Sequence, residues 1–420
     1  MAKYIIEGGH KLSGQIKLSG NKNAILPCMA AALLTEEEVV LENVPEIADV
    51  TILSEIMKSM GVEVVRGKHQ ISLKAAKMPS CVLKSEMVQK LRASILLVGS
   101  LLGRCGQAEF LFPGGDIIGR RGIDQHLNGF NQLGYSIEYN DQEYKLRKVK
   151  QIPKERRIFF ENFATVTGTE NLLLAAAIQP GTTVIRNAAC EPHVIDLCNL
   201  LIKMGADIQG MGSSILTIEG VKKLKGARFK ISSDHMEFGT YVVAGALTGG
   251  EVEIVNCGNL DFEPVIWPYK KMGISFYPIK DGMKIVPGKI IAIPRLLTNA
   301  WPGFPTDLMS ITIVLATQAQ GVSLLHDFIF ESRMFFVDKL ISMGAHITIA
   351  DPHRVVVYGA RPLFARNMET PDIRAGMALI LAALVANGQS VINLAELIDR
   401  GYEDVVGKLT GIGAKVEKST

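Results

Sequence analysis

One short pattern recurs six times along the chain: a helix-like run that ends in glycine, followed at once by a strand-like run. The six copies are LSEIMKSMGVEVV, LNGFNQLGYSIEY, LCNLLIKMGADIQ, VIWPYKKMGISFY, VDKLISMGAHITI and VGKLTGIGAKVEK. Their shared glycines are Gly61, Gly134, Gly205, Gly273, Gly344 and Gly413, at spacings of 73, 71, 68, 71 and 69 residues. Glycine at such a place lets a helix stop in a left-handed backbone conformation. The sequence therefore predicts six units of about 70 residues each, which together fill the chain.

A second element precedes each copy: an Ala- and Leu-rich helix, a turn and a β-branched strand. It is clearest in LAAAIQPGTTVIRNA, VAGALTGGEVEIVNC and LAALVANGQSVINLA. We expect the nearly all-apolar helices, at residues 172–178 and 377–385, to be buried on all sides, with the sheets outside them. Solenoid repeats usually have roughly 20 to 50 residues. Units of this size therefore favour two globular α/β domains of three units each over a solenoid.

Composition limits the classes of function. The 420 residues correspond to two to four domains. Lys and Arg number 45 and Asp and Glu number 42, which leaves a net charge of only +3. This balance excludes a diffuse basic surface for nucleic acid or membranes. With 48% hydrophobic and 21% charged residues the chain is not disordered, so its partner is recognised at a local site.

The chain carries no sign of export. The apolar run at residues 375–386 is shorter than the roughly 18 residues that cross a bilayer, and residues 1–11 do not read as a secretion signal. We therefore expect a cytoplasmic protein. No CxxC pair is present, so we expect reduced and mostly buried thiols rather than disulfides or a zinc site. The cysteines are Cys28, Cys81, Cys105, Cys190, Cys198 and Cys257.

Two stretches carry candidate chemistry. In the loop PGGDIIGRR at residues 113–121, glycines permit a close backbone approach and paired arginines can bind phosphate or carboxylate. From these residues alone, a turn with solvated arginines fits equally well. Lys22 and Asn23 precede an apolar helix, where a lysine can either bind phosphate or remain in solvent.

Five segments together resemble one enzyme family, the bacterial UDP-N-acetylglucosamine 1-carboxyvinyltransferases. They are LSGNKNAILPCMAAALL, FPGGDIIGRRGIDQH, FPTD, ESRMFFVDKLISMGAH and IDRGYEDVVGKL. The resemblance extends over nearly the whole chain. It implies transfer of the enolpyruvyl group of phosphoenolpyruvate to the 3-hydroxyl of UDP-N-acetylglucosamine with release of phosphate, the first committed step of peptidoglycan precursor synthesis.

The resemblance also implies a fold of two inside-out α/β barrel-like domains, each made of three βαβαββ repeats, with the active site in the cleft between them. The first domain would comprise residues 1–21 and 232–420. The second would comprise residues 22–231 and carry a mobile catalytic loop at residues 112–122. This is the fold shared with 5-enolpyruvylshikimate 3-phosphate synthase, although the loop and the MGAH-type segments fit the UDP-sugar branch better.

The implied roles divide into several groups. The catalytic residues would be Asp116 as the general acid, Asp307 as the general base, and Lys22. Phosphoenolpyruvate would contact Lys22, Asn23, Arg121, Arg374 and Arg400. The UDP-sugar would contact Asn23, Arg92, Arg121, Gly122, Ile123, Asp124, Gln125, Thr165, Val166, Asp307 and Ile329. Supporting positions would be Asp372, Arg333 and Glu191. From the sequence alone, Asp307 also fits a helix N-cap.

Asp116 stands where most members of the family have a cysteine. Either a thiol or a carboxylic acid can protonate carbon 3 of phosphoenolpyruvate if its pKa is tuned, and an exposed aspartate would need burial or anionic neighbours to raise its pKa. Fosfomycin alkylates the family's cysteine. We therefore expect this protein to be insensitive to fosfomycin.

Several positions depart from the family pattern, mostly on the acceptor side. Phe163 replaces a lysine that helps to hold the diphosphate, and Thr165, Val166 and Thr167 replace a Ser-Val-Gly run. The others are Gly122 for proline, Ser332 for asparagine in the ENR triplet, and His193 for an acid. These changes leave open a different nucleotide or nucleotide-sugar acceptor, or a non-catalytic paralogue that binds a nucleotide sugar.

The remaining expectations concern cofactors and partners. The mechanism that the resemblance implies needs no metal and no organic cofactor. Histidines such as His126, His235 and His346 lack metal-ligand spacing and suit structural hydrogen bonds better than metal binding. The expected partners are small-molecule substrates, without nucleic acid or membrane. A monomer is favoured.

Overall fold

A computed structural model describes residues 2–77, 81–115, 118–119, 121–259 and 261–419. Short 3₁₀ turns cover Ala32–Leu34, Arg92–Ile95, Thr306–Leu308 and Ala395–Arg400. The α-helices of the described residues are α1 (Lys22–Ala31), α2 (Ala48–Ser59), α3 (Glu86–Lys90), α4 (Leu96–Cys105), α5 (Asp124–Gln132), α6 (Val166–Ala176), α7 (Pro192–Lys203), α8 (His235–Thr248), α9 (Glu263–Lys271), α10 (Met309–Thr317), α11 (Val337–Ser342), α12 (Ile373–Val385) and α13 (Val405–Gly411).

The strands of the same residues form six sheets of four strands. They are β1 (Lys3–Glu7), β2 (Gly14–Lys17), β3 (Val39–Glu42), β4 (Glu63–Gly67), β5 (Gln70–Lys74), β6 (Val82–Leu83), β7 (Gln107–Leu111), β8 (Tyr135–Tyr139), β9 (Glu143–Lys148), β10 (Glu155–Phe159), β11 (Gly181–Arg186), β12 (Asp207–Gln209), β13 (Ile215–Gly220), β14 (Ala227–Lys230), β15 (Val252–Val255), β16 (Ile274–Ile279), β17 (Gly282–Pro287), β18 (Arg295–Leu297), β19 (Gly321–His326), β20 (His346–Asp351), β21 (Arg354–Gly359), β22 (Asn367–Glu369), β23 (Gln389–Asn393) and β24 (Lys415–Ser419).

All six sheets have the same topology. In each, one edge strand pairs in parallel with its neighbour, and the other two pairings are antiparallel. The strand orders are β22-β23-β1-β24, β10-β11-β13-β12, β14-β3-β5-β4, β16-β17-β15-β2, β18-β19-β21-β20 and β6-β7-β9-β8. The six sequence repeats are therefore six copies of one α/β unit.

The repeat glycines have the backbone conformation that their position predicts. Each follows the last residue of its helix by two positions, after α2, α5, α7, α9, α11 and α13. Their φ angles lie between +89° at Gly61 and +107° at Gly205. Because a side chain strains the backbone in this left-handed region, glycine is the residue that lets the chain turn directly into the next strand.

The predicted buried helices form the cores. In α12 every residue from Ile373 to Leu384 is buried, and in α6 burial runs from Gly168 to Ala176. Helices α1, α8 and α10 are nearly as fully enclosed. Among the described parts of the chain, no helix is both long and apolar enough to cross a membrane.

The chain divides into two compact units. The first comprises residues 1–19, 116–121 and 233–420, and the second comprises residues 20–115 and 122–232. The first unit has one core, built around α8, α10 and α12, and the second has its own core around α1, α4 and α6.

One expectation about the cysteines is wrong. Cys81 and Cys105 form a disulfide, at a sequence separation of 24 residues. Cys28, Cys198 and Cys257 are buried free thiols, and Cys190 is a half-buried one. The pairing has no short spacing motif, because it joins the residue before β6 to the end of α4. Only the fold brings the two cysteines together.

This disulfide predicts a measurable contribution to stability. A cross-link that closes a loop of this length restricts the unfolded chain by about 3 kcal/mol. Under oxidising conditions, Cys81→Ser should lower the free energy of unfolding by about that amount in a urea titration. Cys190→Ser is the control and should leave it nearly unchanged. Equal stability of Cys81→Ser and wild-type protein would show that the cross-link contributes nothing.

Candidate active site

In the second unit, Lys22 stands at the first position of α1. The helix is capped by the buried Asn21, whose side-chain oxygen accepts the N–H of Asn23 at 2.9 Å. The Lys22 ammonium lies 2.8 Å from the carboxylate of Asp49, which is 2% exposed. The lysine is therefore held at a helix N-terminus, where an anion is favoured by both the ammonium and the helix dipole.

Arg92 holds the two ends of the glycine-rich loop. Its Nη1 donates to the carbonyl oxygen of Pro113 at 3.3 Å, and its Nη2 donates to that of Gly122 at 3.0 Å. The guanidinium also lies 5.6 Å from the ring centre of Phe112. Arg92 thus fixes the stem of the loop. Its predicted role, contact with the UDP-sugar, did not include these hydrogen bonds.

The predicted acceptor residues lie at the starts of two neighbouring helices. Ile123, Asp124 and Gln125 open α5, while Thr165 caps α6 by accepting the N–H of Gly168 at 3.4 Å and Val166 is the first helical residue. A small pocket of about 40 Å³ adjoins this region; its lining residues are Gln125, Asn128, Gly129, Gln132, Phe159, Phe160, Glu161 and Asn162.

His126, in the first turn of α5, contacts the first two turns of α6. Its ring lies 3.1 Å from the hydroxyl of Thr167 and 3.0 Å from the side-chain amide of Asn171. Burial, with a smaller effect from Arg92, lowers the pKa of His126 to about 3, so the ring is neutral at physiological pH. The structure supports the predicted structural role of this histidine.

In the first unit, Asp307 lies between two buried arginines. Its Oδ1 accepts from Arg333 Nη2 at 3.0 Å, and its Oδ2 accepts from Arg374 at 3.0 Å. The arginine side chains are 1% and 6% exposed, whereas the carboxylate is 28% exposed. Asp307 is the second residue of the 3₁₀ turn Thr306–Leu308, and the N-cap positions of this turn and of α10 are Pro305 and Leu308, so the N-cap alternative does not hold.

Arg374 is fixed by its helix and by an aromatic ring. Asp372 caps α12 and accepts the N–H groups of Arg374 and Ala375, each at 2.9 Å. The guanidinium lies 5.2 Å from the ring centre of Tyr402. Burial alone would lower the pKa of Arg374, but the neighbouring Tyr402 and Asp307 hold it above its usual value. This arginine therefore stays charged.

One donor in this cluster remains available. Within the described part of the chain, the buried Arg374 Nη1 has no hydrogen-bond partner, whereas Arg333 Nε lies 4.0 Å from Oδ2 of Asp327. A buried donor without a partner costs free energy, which an anionic ligand could recover by accepting from it. The cluster around Asp307 is therefore suited to binding an anion next to a carboxylate.

Arg121 lies beside the same cluster. Its guanidinium is 5.9 Å from the ring centre of Phe330, and that of Arg333 is 5.3 Å from it. The N–H of Ser332 donates to the carbonyl oxygen of Ile118 at 3.2 Å. The predicted general acid, Asp116, lies outside the described residues.

The other predicted positions are less informative. Arg400 ends the 3₁₀ turn Ala395–Arg400, and Glu191 directly precedes α7. His193 is buried in α7, whereas Phe163 is 45% exposed. Sequence reasoning missed Asp327, a fully buried aspartate whose contacts reach Thr306 and Arg333. Its one local signal is an aspartate placed directly after a strand, which is typical of a side chain that accepts backbone N–H groups.

Comparisons with known proteins place the chain among enolpyruvyl transferases. Residues 6–409 match the family described as EPSP synthase (3-phosphoshikimate 1-carboxyvinyltransferase). The UDP-N-acetylglucosamine 1-carboxyvinyltransferase of Borrelia garinii is 46% identical, with 100% of this chain and 99% of the relative covered. That of Treponema denticola is 44% identical, with 99% of each covered. The chain belongs to the UDP-N-acetylglucosamine 1-carboxyvinyltransferase family.

Solved structures bear on the fold of this family member. The enolpyruvyl transferase NikO from Streptomyces tendae has a TM-score of 0.87 at 21% identity and covers 100% of this chain and 99% of its own. An EPSP synthase from Acinetobacter baumannii has a TM-score of 0.76 at 17% identity, with both chains fully covered at 100%. These likenesses confirm the predicted fold class.

The contacts of Arg92 predict a specific effect on the loop. Arg92→Lys cannot reproduce two divergent donors, and each hydrogen bond from a charged group is worth roughly 1.5 to 3 kcal/mol. Hydrogen exchange in peptides covering residues 111–123 should become at least about tenfold faster. Arg104→Lys is a matched control, because Arg104 also holds two carbonyl oxygens, those of Leu33 and Thr35. Unchanged hydrogen exchange in Arg92→Lys would contradict the conclusion that Arg92 fixes the stem of the loop.

Proposed function

We propose that this protein transfers the enolpyruvyl group of phosphoenolpyruvate to the 3-hydroxyl of UDP-N-acetylglucosamine, with release of phosphate. This reaction is the first committed step of peptidoglycan precursor synthesis. The observation that carries the proposal is the carboxylate of Asp307 beside two buried arginines, of which Arg374 has a donor left for an anion. Phosphoenolpyruvate brings two anionic groups, a phosphate and a carboxylate. The names of the relatives support the same reaction.

The first unit supplies cations and the base. Arg374 and Arg400 bind the donor, and Arg333 supports them while holding Asp307. Ile329 contacts the sugar nucleotide, and Asp372 fixes the start of α12, which carries Arg374. Fixed donors in a site with little water stabilise charge better than solvent does, because they need no reorganisation during the reaction.

The second unit supplies phosphate-binding groups and the acceptor contacts. Lys22 and Asn23 bind phosphoenolpyruvate at the N-terminus of α1. The acceptor is held by Arg92, by the backbone at Gly122 and Ile123, and by side chains at the starts of α5 and α6. Arg121 serves both substrates, and Glu191 supports the site at the start of α7. We propose that groups of both units serve one reaction in a cytoplasmic monomer.

The reaction proceeds by addition and then elimination. Asp116 protonates carbon 3 of phosphoenolpyruvate while Asp307 accepts the proton of the sugar 3-hydroxyl, whose oxygen bonds to carbon 2. Asp116, now ionised, then accepts a methyl proton while the carbon–oxygen bond to phosphate breaks. The phosphate leaves with the proton that Asp307 had accepted, and an enol ether remains. No redox step occurs, so these side chains suffice for the proton transfers. With aspartate at position 116, insensitivity to fosfomycin remains our expectation.

The base assignment predicts a large loss of turnover in Asp307→Asn. Removing a general base typically costs 10²- to 10⁴-fold in rate. Phosphate release from phosphoenolpyruvate and UDP-N-acetylglucosamine should fall by about that factor, with the product identified by mass spectrometry. Asp338→Asn, an exposed position at the start of α11, is the control.

Two outcomes would contradict the proposal. Asp307→Asn turnover close to that of the wild type would remove Asp307 from the role of base. Wild-type protein that releases no phosphate with UDP-N-acetylglucosamine, but does so with another nucleotide acceptor, would replace the proposed substrate.

A further inference from the structure

Asp327 is a buried carboxylate next to the proposed base. It directly follows β19 and has no exposed surface. Its backbone is fixed on both sides: its N–H donates to the carbonyl oxygen of His353 at 2.8 Å, and its own carbonyl lies 2.7 Å from the His353 ring. A charged side chain on so rigid a backbone is costly to bury unless its oxygens are satisfied.

The two oxygens of Asp327 are used in different ways. Oδ1 accepts the backbone N–H groups of Ile329 and Phe330, each at 2.9 Å. Oδ2 accepts the hydroxyl of Thr306 at 2.5 Å and lies 4.0 Å from Nε of Arg333. The first oxygen shapes the turn that carries Ile329, whereas the second contacts two residues that adjoin Asp307.

These contacts form a closed network of four residues, Asp327, Thr306, Asp307 and Arg333. Thr306 directly precedes Asp307 in the same 3₁₀ turn, and Arg333 donates to Asp307 through Nη2 at 3.0 Å. Asp327 therefore controls Asp307 along two routes, through the backbone from Thr306 and through the guanidinium of Arg333. A backbone turn alone would need only the bonds of Oδ1, so it does not account for the bond to Thr306.

We propose that Asp327 is a positioning residue for the transfer reaction, which holds Asp307 and Arg333 in their reactive arrangement through its contacts with Thr306 and Arg333. It touches neither substrate. The inference rests on the proposed function, since it takes Asp307 to be the base. Without these contacts, Asp307 is displaced from the substrate proton that it accepts. A displacement of this kind lowers turnover more than it weakens substrate binding.

A pair of substitutions at Thr306 tests the link without removing a buried charge. Thr306→Val deletes the hydroxyl and keeps the shape of the side chain, while Thr306→Ser keeps the hydroxyl. Steady-state kinetics with phosphoenolpyruvate and UDP-N-acetylglucosamine should show kcat at least about tenfold lower in Thr306→Val, with both KM values within about twofold of the wild type. Thr306→Ser should retain kcat within about threefold.

Asp327→Asn tests the carboxylate that contacts both Thr306 and Arg333. It should lower kcat by about 100-fold, and adding Thr306→Val should lower it by less than twofold more, because both changes break the same link. Asp261→Asn is a matched control: Asp261 also accepts the N–H of the residue two positions later, Glu263, at 2.9 Å. If Asp327→Asn does not fold, the two Thr306 variants decide the question alone.

Each result has a definite reading. Wild-type kcat in Thr306→Val, equal impairment in Thr306→Val and Thr306→Ser, or additive losses in the double variant would overturn the positioning role and leave the proposed function intact. A wild-type protein inactive with UDP-N-acetylglucosamine would instead overturn the proposed function. The kcat of each variant relative to the wild type would then be measured with whichever acceptor supports turnover. A protein inactive with all acceptors would refute both the positioning role and the proposed function.

Discussion

Burial of three helices at the centre of each unit is the constraint on which the site depends. A helix that is enclosed along its length still has unpaired N–H groups in its first turn, and these favour polar or anionic partners. Several of the candidate residues lie at these starts. Lys22 opens α1, Arg92 begins the 3₁₀ turn before α4, and Thr165 caps α6. In the first unit Asp307 precedes α10, and Arg374 follows the cap of α12.

In the first unit, contacts show how these starts are joined. Arg374 from α12 reaches Asp307 before α10, and the hydroxyl of Tyr402 lies 3.0 Å from that of Thr240 in α8. His235, the first residue of α8, has its pKa lowered to about 4 by burial and by the charge of Arg374, with Asp307 opposing the shift. The repeat thus brings the starts of three helices of the first unit to one place.

The sequence was most informative where the chemistry is local. The six glycines predicted the helix ends, and alanine- and leucine-rich runs predicted the buried helices, because both depend on a few adjacent residues. Family motifs pointed to Asp307, Arg333 and Arg374, but not to their mutual contacts. Three features join residues that are distant in sequence: the disulfide, the hydrogen bonds from Arg92 to the loop stem, and the network around Asp327. No spacing rule anticipates such pairs.

The central claim is that the transfer is an addition followed by an elimination, in which acids and bases of the protein move the protons. Reaction in deuterium oxide, followed by mass spectrometry of the product, tests it most directly. Because carbon 3 is protonated from an exchangeable acid and then loses one of three methyl hydrogens, the enol ether of the wild-type reaction should carry solvent deuterium on its vinyl carbon. Release of phosphate with an unlabelled vinyl group would contradict the account.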